Sequence, residues 1–344
     1  MGNFLNNNLS FLVNTDIYLL HHYHIYIEKN GIFPVKAYEV DFQNKRKHIL
    51  STIGEFYERE VLCDVNPIVN KKINMTSLIT GKVKSVDKTD LVFGGEFVDS
   101  CGMASHTLSA EVVWKAYKEF FERQSFIANF LFQLNAEKIL IDKSLDILKN
   151  DNYIKNYLND ILYFNISLSN NIYVVLAFGW ADDSKAVGLG TSKNLKKAVE
   201  KAQKEIMQYY AVSLNKEKRI FKRKIKLGFK DAYQEYFDSI SIEKFKELYG
   251  YFNKVNKNIY VLDNEISRIE NSEIIRGNYY KLNMEPFIAV FDGRENTGVK
   301  IVKIKDFNWF PHMRPEIFSN EIIEKIEQKF GWKRKNFDAW LPFI

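Results

Sequence analysis

The chain has 344 residues, of which 46% are hydrophobic and 27% charged, as in globular proteins that bury a substantial core. Its formal net charge of +6 permits an anionic partner without requiring one. Two cysteines exclude a disulfide framework and a four-thiolate zinc site, and no apolar run approaches the ~20 residues of a membrane-spanning helix. A cytoplasmic protein that binds neither membrane nor nucleic acid is expected.

The first half of the chain predicts strands followed by two long helices. Residues 1–48 mix short apolar runs with turn signals at 14–16 and 29–31, which indicates strands. A helix is predicted over 51–62, and strands with a turn at Gly94-Gly95 over 83–99. Thr107 or Ser109 is predicted to cap a second helix that runs towards Leu131.

The second half mixes both kinds of element. One or two helices are predicted over 137–162, a buried strand over 171–180, a glycine turn over 187–192 and a strong helix over 194–210. Helices over 242–251 and 321–330 and strands over 259–262, 287–291 and 299–304 complete the pattern. This mixture predicts an α+β fold of mixed β-sheets with packed helices, forming a single domain over 1–344.

A basic run at 216–226 contains seven basic residues and one acidic residue. A solvated strand or loop is the ordinary explanation for such a run, and a docking surface for a peptide or protein is the alternative. No nucleic-acid-binding motif accompanies the run, so nucleic acid is not expected as a partner.

A five-residue pattern of Glu, two aromatic residues, Glu and Arg occurs twice, at 55–59 and 119–123. On a helix, residues three apart share a face, so each copy presents two carboxylates with an arginine at their edge. Two such helices in contact would place four carboxylates in one pocket, which is costly unless cations neutralise them. The repeat is the strongest indication of function in the sequence.

Helical spacing extends each pattern into a polar stripe and adds a third. The stripes are Ser51, Glu55 and Glu58; Glu111, Lys115, Glu119 and Glu122; and Lys201, Glu205 and Gln208. An exposed face with paired Glu and Lys explains any single stripe. Three similar stripes favour a shared cation site.

Magnesium and phosphate suit such a site. Mg²⁺ takes oxygen ligands, usually one or two carboxylates together with substrate phosphates, and Arg or Lys can contact the phosphate oxygens. A di-iron site would need Glu-x-x-His on facing helices, and no histidine follows a glutamate by three in these helices. A Walker A loop, a kinase signature and a nucleophile elbow are absent from the sequence.

Together these motifs resemble the YcaO family. The resemblance consists of Ser51-x-x-x-Glu55-x-x-Glu58-Arg59, then Glu111 with Glu119-x-x-Glu122-Arg123, then Gly188-x-Gly190 followed by Ala198, Ala202, Glu205 and Gln208. Each motif is weak alone, whereas their order and spacing, over about residues 50–210, are specific together. The resemblance implies a YcaO-like fold in which glutamate-bearing helices form an ATP site.

The resemblance also implies roles for individual residues. The implied Mg²⁺ ligands are Glu55, Glu58, Glu119, Glu122 and Glu205. The implied nucleotide contacts are Ser51, Glu55, Glu58, Glu111, Glu122, Arg123, Lys201 and Glu205. Catalytic roles fall to Glu119, Arg123 and Lys201. At the position of Lys201 the family usually has arginine. Lysine keeps the positive charge but lacks the guanidinium group, which can make two parallel hydrogen bonds to one partner.

The implied activity is cyclodehydration of a ribosomally made precursor peptide, as in bacteriocin and antibiotic biosynthesis. A Cys, Ser or Thr side chain attacks the preceding backbone carbonyl, ATP phosphorylates the resulting hemiorthoamide oxygen, and loss of phosphate leaves a thiazoline or oxazoline. Two alternatives stay open. Relatives use the same activation to form thioamides or amidines, and a non-catalytic scaffold could retain the fold.

Partners follow from the same resemblance. The sequence before Ser51 leaves no room for a fused leader-binding region, so a separate leader-binding, E1-like (ThiF-like) protein is expected to present the precursor peptide. A flavin dehydrogenase in the same complex and a homodimer are further expectations. The chain ends with one proline in 340–344, unlike the proline-rich tail of many cyclodehydratases, although this apolar end can still pack inward.

Overall fold

The computed structural model describes residues 11–17, 20–29, 33–41, 45–62, 72–92, 98–142, 145–217, 232–262, 269–291, 297–338 and 340–343. The helices in these ranges are α1 (Lys45–Leu62), α2 (Ser109–Phe132), α3 (Ile147–Ile154), α4 (Leu195–Glu217), α5 (Ala232–Ser239), α6 (Ile242–Tyr249), α7 (Asn271–Leu282) and α8 (Asn320–Phe330). The strands are β1 (Phe11–Ile17), β2 (Leu20–Lys29), β3 (Phe33–Asp41), β4 (Lys72–Ser77), β5 (Val83–Asp87), β6 (Met103–His106), β7 (Glu137–Leu140), β8 (Asp160–Asn165), β9 (Tyr173–Trp180), β10 (Lys185–Ser192), β11 (Asn258–Tyr260), β12 (Phe287–Phe291) and β13 (Lys300–Lys305).

The strands form three sheets. The first has the order β1-β2-β3, the second β10-β9-β8-β7-β11, and the third β5-β4-β12-β13-β6. Among the strands that the structure describes, neighbours pair antiparallel except β7 and β11, which are parallel. The predicted α+β class with mixed sheets is confirmed.

Helix α2 is the buried centre of the fold. Every residue from 120 to 132 is buried except Arg123, which is half-buried. A helix that is enclosed on all sides packs against other elements on each of its faces. Accordingly, α2 contacts β6 and β13 of one five-stranded sheet and β9 and β10 of the other. Arg123 is therefore a charged group set into an otherwise enclosed helical segment.

Helix α4 packs closely against β10 because β10 carries glycine where the helix approaches. A Cβ added at Gly188 would overlap the carbonyl oxygen of Ala202, and one added at Gly190 would overlap that of Ala198. The glycine turn predicted over 187–192 is wrong, since this segment is strand β10. Its glycines provide room for a helix instead of a change of chain direction.

Most long elements agree with the sequence-based prediction. The strand over 171–180 and the helix over 194–210 are confirmed as β9 and most of α4, and α1 begins six residues before its predicted start. The predicted C-terminal elements α6, β11, β12, β13 and α8 lie within two residues of their expected bounds.

Three local predictions are wrong. Residues 137–162 form β7, the short helix α3 and the start of β8, so most of this range is not helical. Neither Thr107 nor Ser109 caps α2, because Leu108 occupies the N-cap position without a side-chain hydrogen bond. The turn signal at 14–16 lies inside β1. Helices α5 and α7 were not predicted.

Some predicted features lie outside the described residues. These are Cys63, the Gly94-Gly95 turn and residues 218–226 of the basic run, whose first two residues end α4. None of the helices in the described ranges combines the length and the apolar character needed to cross a bilayer.

Gly190→Ala tests the close packing of α4 on β10. The added methyl group would have to displace the α4 backbone, so the free energy of unfolding should fall by about 2–3 kcal/mol. Urea denaturation measures this change. Gly250→Ala is the control, because Gly250 has a helical φ of −61° and open space around its Cβ, and its stability should stay equal or rise slightly. Equal stability of Gly190→Ala and the parent chain would contradict the packing described.

Asp306, which follows β13, should make stability depend on pH. It is 1% exposed, its Oδ2 has no hydrogen-bond partner among the described residues, and burial raises its pKa from 3.8 to about 7. The folded state then holds a proton that the unfolded state releases, so the contribution of Asp306 to stability falls as pH rises from about 4 to 7. Between pH 4 and pH 7, the free energy of unfolding of Asp306→Asn should fall less than that of the parent chain. Parallel pH profiles for the two proteins would refute this.

Candidate active site

Glu58 joins the first predicted stripe to the second. Its Oε1 accepts hydrogen bonds from the Ser105 backbone N–H (2.7 Å), the Ser105 hydroxyl (2.8 Å) and Lys115 Nζ (3.1 Å). The Glu58 side chain is only 12% exposed. Lys115 on α2 therefore balances a carboxylate of α1 that is largely withdrawn from water.

Arg123 joins the second stripe to the third. Its Nη2 lies 4.0 Å from Glu122 Oε1 and 3.9 Å from Glu205 Oε1. Its Nη1 is buried and has no hydrogen-bond partner within the described part of the chain. Because an unpaired buried guanidinium N–H is costly, this position suits an anionic ligand.

Strand β10 positions the two carboxylates that flank Arg123. The Thr191 hydroxyl donates to Glu122 Oε2 (2.7 Å), and the Leu189 backbone N–H donates to Glu205 Oε2 (2.7 Å). Lys201 Nζ donates to the Thr191 carbonyl (2.8 Å). Strand β10 is at the edge of its sheet, so the backbone N–H and C=O groups on its unpaired side can bind side chains of α4.

One cluster of charged side chains, which we call the recess, is formed by Glu39, Glu58, Glu119, Glu122, Arg123, Lys201 and Glu205. The pKa values of Glu39, Glu119 and Glu205 are raised. Burial raises the pKa of Glu119 well above its ordinary value, and the nearby Glu58 and Glu122 raise it further, against Arg123. Burial also raises the pKa of Glu205 to about 7 and that of Glu39, on β3, to about 8. A carboxyl group with a raised pKa can keep its proton near pH 7, and it would release this proton on binding a cation.

Two lysines of α2 add positive charge. Burial and the neighbouring Lys201 lower the pKa of Lys118 to about 7, although Glu111 acts in the opposite direction. Burial also disfavours the charged form of Lys115, but Glu58 outweighs this effect and its pKa is raised. The recess thus holds both signs of charge at close range.

The structure brings most of the predicted residues together. Those that share the recess are Glu58, Glu119, Glu122, Arg123, Lys201 and Glu205. Glu55 lies 3.5 Å from Arg59 on α1, and its charge acts on Glu39 in the same recess. Glu111 is exposed in the first turn of α2, near Lys118. Ser51 is half-buried one turn before Glu55 and, within the described residues, makes no hydrogen bond to the other predicted residues.

Several residues of the recess were not predicted as parts of the site. They are Glu39, Ser105, Lys115, Lys118, Thr191 and Phe343. Lys115 belongs to the second polar stripe, so helical spacing alone could have placed it at the site. Glu39 and Ser105 belong to strands without a recognisable motif, so no local pattern could have indicated them.

The C-terminal tail packs inward and reaches the recess. The Phe343 ring centroid lies 4.5 Å from Arg123 Cζ and 5.5 Å from the centroid of the Phe126 ring. The Tyr249 hydroxyl donates to the Pro342 carbonyl (2.9 Å), and Leu341 is fully buried. An aromatic face therefore covers one side of the guanidinium.

Comparison with known protein families identifies the family of the chain. The family model of the YcaO cyclodehydratases, described as ATP- and Mg²⁺-binding, matches residues 77–304. The chain belongs to the YcaO family. The matched range contains the second and third glutamate stripes and begins after the first. A comparison with curated proteins found no match.

Solved structures share the fold. A chain of the E. coli microcin synthetase McbBCD complex with pro-MccB17 bound gives a TM-score of 0.73 at 17% identity, over 100% of this chain and 99% of that chain. YcaO from Methanopyrus kandleri bound with AMPPCP and Mg²⁺ gives 0.68 at 13% identity, over 87% and 85%. A heterocyclase in complex with substrate and cofactor gives 0.69 at 12% identity, over 97% of this chain and 55% of that chain. The predicted YcaO-like fold is confirmed.

ATP and Mg²⁺ are the cofactors of the YcaO family, and the recess fits them. Among the described residues, no three carboxylate, histidine or cysteine side chains converge closely enough to hold a metal ion alone. Because Mg²⁺ usually combines one or two carboxylates with phosphate oxygens, it would bind here together with ATP. The unpaired Nη1 of Arg123 and the raised pKa values of Glu119 and Glu205 suit an incoming polyphosphate and cation.

Phe343→Leu tests the contact between the tail and Arg123. Leucine keeps most of the apolar volume but lacks the aromatic face, which removes a cation–π interaction of about 1 kcal/mol. The rate of ATP hydrolysis should fall roughly five-fold, with only a small drop in melting temperature. Phe337→Leu is a matched control, because the Phe337 ring lies 4.9 Å from Arg334 and is 73% exposed. Unchanged hydrolysis by Phe343→Leu would show that the tail does not support the site.

Proposed function

We propose that this chain is an ATP- and Mg²⁺-dependent cyclodehydratase that converts Cys, Ser or Thr residues of a ribosomally made precursor peptide to thiazolines or oxazolines. The surroundings of Arg123 carry the proposal. The Arg123 guanidinium, with one unpaired nitrogen, lies beside Glu122 and Glu205, and the pKa of Glu205 is raised to about 7, an arrangement suited to a polyphosphate and its metal ion. The family description supports the reaction class.

The chemistry requires positioning and charge neutralisation from the protein. When bound, ATP supplies the phosphoryl group that makes the amide oxygen a leaving group, and Mg²⁺ offsets the phosphate charge. Arg123 and Lys201 would hold phosphate oxygens from α2 and α4. Glu119, whose raised pKa makes its carboxylate a stronger base, can accept the proton that the attacking side chain loses. The peptide loses one water per ring, and the oxygen of the cyclised backbone amide leaves in the phosphate.

The remaining assignments follow the same proposal. Proposed Mg²⁺ ligands are Glu55, Glu58, Glu119, Glu122 and Glu205, and proposed nucleotide contacts are Ser51, Glu55, Glu58, Glu111, Glu122, Arg123, Lys201 and Glu205. Binding of Mg²⁺ through a subset of these carboxylates and the phosphates would be consistent with their separation in the structure.

The proposed partners draw support from the microcin synthetase. One chain of that multi-protein complex, solved with pro-MccB17 bound, matches this chain along its full length. We therefore propose a precursor-peptide substrate and a separate leader-binding, E1-like partner. A flavin dehydrogenase in the complex, a homodimer, a cytoplasmic location and a single catalytic domain over 1–344 stay predictions.

Reconstitution tests the reaction. The chain would be combined with ATP, Mg²⁺, a candidate precursor peptide and a candidate leader-binding protein. The expected result is phosphate release together with the loss of one water mass from the peptide for each ring. Exchange of oxygen for sulfur would increase the mass and indicate thioamide formation instead. ATP turnover with unchanged peptide mass would contradict the proposal.

Glu122→Gln distinguishes a catalyst from a scaffold. The amide keeps the shape of the side chain and can still accept the Thr191 hydrogen bond, but it removes the charge that would face Mg²⁺. The kcat/KM for Mg²⁺-ATP should fall at least ten-fold, about 1.4 kcal/mol, with little change in melting temperature. Glu324→Gln, at an exposed position of α8, is the control. Full peptide modification by Glu122→Gln would favour the scaffold alternative.

A further inference from the structure

A second recess lies on the other side of α2 from strand β10. It is a cavity of about 230 Å³ between α2, the end of β13 and the segment that leads into α8. Its walls include Cys101, Phe120, Gln124, Lys303, His312 and Ile322. None of these residues belongs to the predicted nucleotide site.

The cavity and the nucleotide site share one stretch of α2. At about 100° per residue, Arg123 lies about 40° around the helix from Glu119, and Phe120 and Gln124 lie about 100° and 140° in the same direction. Glu122, which binds Thr191, lies about 60° in the opposite direction. Glu119 and Arg123 therefore stand between the surface that faces β10 and the surface that lines the cavity.

Electrostatic coupling places the two recesses close together. The charges of Glu119 and Arg123 both act on the Cys101 thiol, and the charge of Glu119 acts on Lys303. A molecule in the cavity would consequently lie near the groups that we assign to the phosphates.

The walls of the cavity are preformed. Gln124 makes two hydrogen bonds with the backbone of Phe310, donating to its carbonyl (2.9 Å) and accepting from its N–H (3.0 Å). The Asp99 carboxylate accepts from the backbone N–H groups of Cys101 (3.0 Å) and Met313 (2.8 Å). A ligand would therefore enter without first having to order these segments.

The walls carry charge of both signs, since Asp90 and Lys305 also line the cavity, and this balance favours an uncharged occupant. Lys303 Nζ already donates to the carbonyls of Leu91 and Asp99, and the Asp99 carboxylate offsets its charge. Burial lowers the pKa of His312 to about 4, so its imidazole is neutral at pH 7. Phe120 and Ile322 add apolar surface. The volume is below the roughly 300–1,000 Å³ of pockets that hold drug-sized ligands, and it suits a single amino-acid residue.

We propose that this cavity receives the reacting Cys, Ser or Thr residue of the substrate peptide, or the residue next to it. The peptide and the ATP phosphates then meet at Glu119 and Arg123, which lie between the two surfaces of α2. This assignment rests on the proposed cyclodehydratase function and identifies where the peptide is held.

Two substitutions at the rim test the proposal. Ile317 is 44% exposed, and Ser319 is exposed at the N-cap of α8 without a side-chain capping bond, so tryptophan at either position should narrow the entrance with little loss of stability. In the reconstituted reaction, Ile317→Trp and Ser319→Trp should each raise the KM for the precursor peptide at least ten-fold. The Kd for a non-hydrolysable ATP analogue with Mg²⁺ should stay within two-fold of the parent value.

Glu324→Trp is the matched control, because Glu324 is exposed on α8 and does not line the cavity. It should leave both constants unchanged. An unaltered peptide KM in both rim variants would overturn the proposal, and so would a parallel loss of nucleotide affinity, which would assign the cavity to ATP. Failure of the parent complex to modify the peptide would instead contradict the proposed function itself, so the two failures are distinguishable.

Discussion

The buried guanidinium of Arg123 is the interaction on which the rest of the site depends. It interrupts a helical segment that is otherwise fully enclosed, and a charge in such a position requires partners. Glu122 and Glu205 supply opposite charge from two helices, and Phe343 supplies an aromatic face. Since the two carboxylate contacts are as long as 3.9 and 4.0 Å and one nitrogen is unpaired, part of the positive field stays directed into the recess.

The helices carry the carboxylates, but strands hold them in place. Ser105 on β6 binds Glu58, Thr191 on β10 binds Glu122, and the Leu189 amide on β10 binds Glu205. These contacts come from both five-stranded sheets. Hydrogen bonds of this kind restrict the rotamers of side chains that must later accept a metal or a phosphate, and that restriction reduces the ordering needed on binding.

The sequence was informative where the relevant pattern is local. Residues three and four apart on a helix share a face whatever the surrounding fold, so the stripes containing Glu58, Glu122 and Glu205 could be read directly. Short strands such as β7 and β8 carry too few residues to distinguish a period of 2 from one of 3.6. The glycines of β10 were misread because glycine marks both turns and close backbone approach. Glu39 and Phe343 reach the recess only through the pairing of β3 and the path of the tail, which no local pattern encodes.

The contact between α4 and β10 has a consequence for how the protein can evolve. At Gly188 and Gly190 the spacing between helix and strand is set by backbone atoms that meet backbone atoms. The distance from Glu205 to the Leu189 amide therefore does not depend on the volume of a side chain at these two positions. Substitutions elsewhere on the outer face of α4 can accumulate while this carboxylate stays beside Arg123.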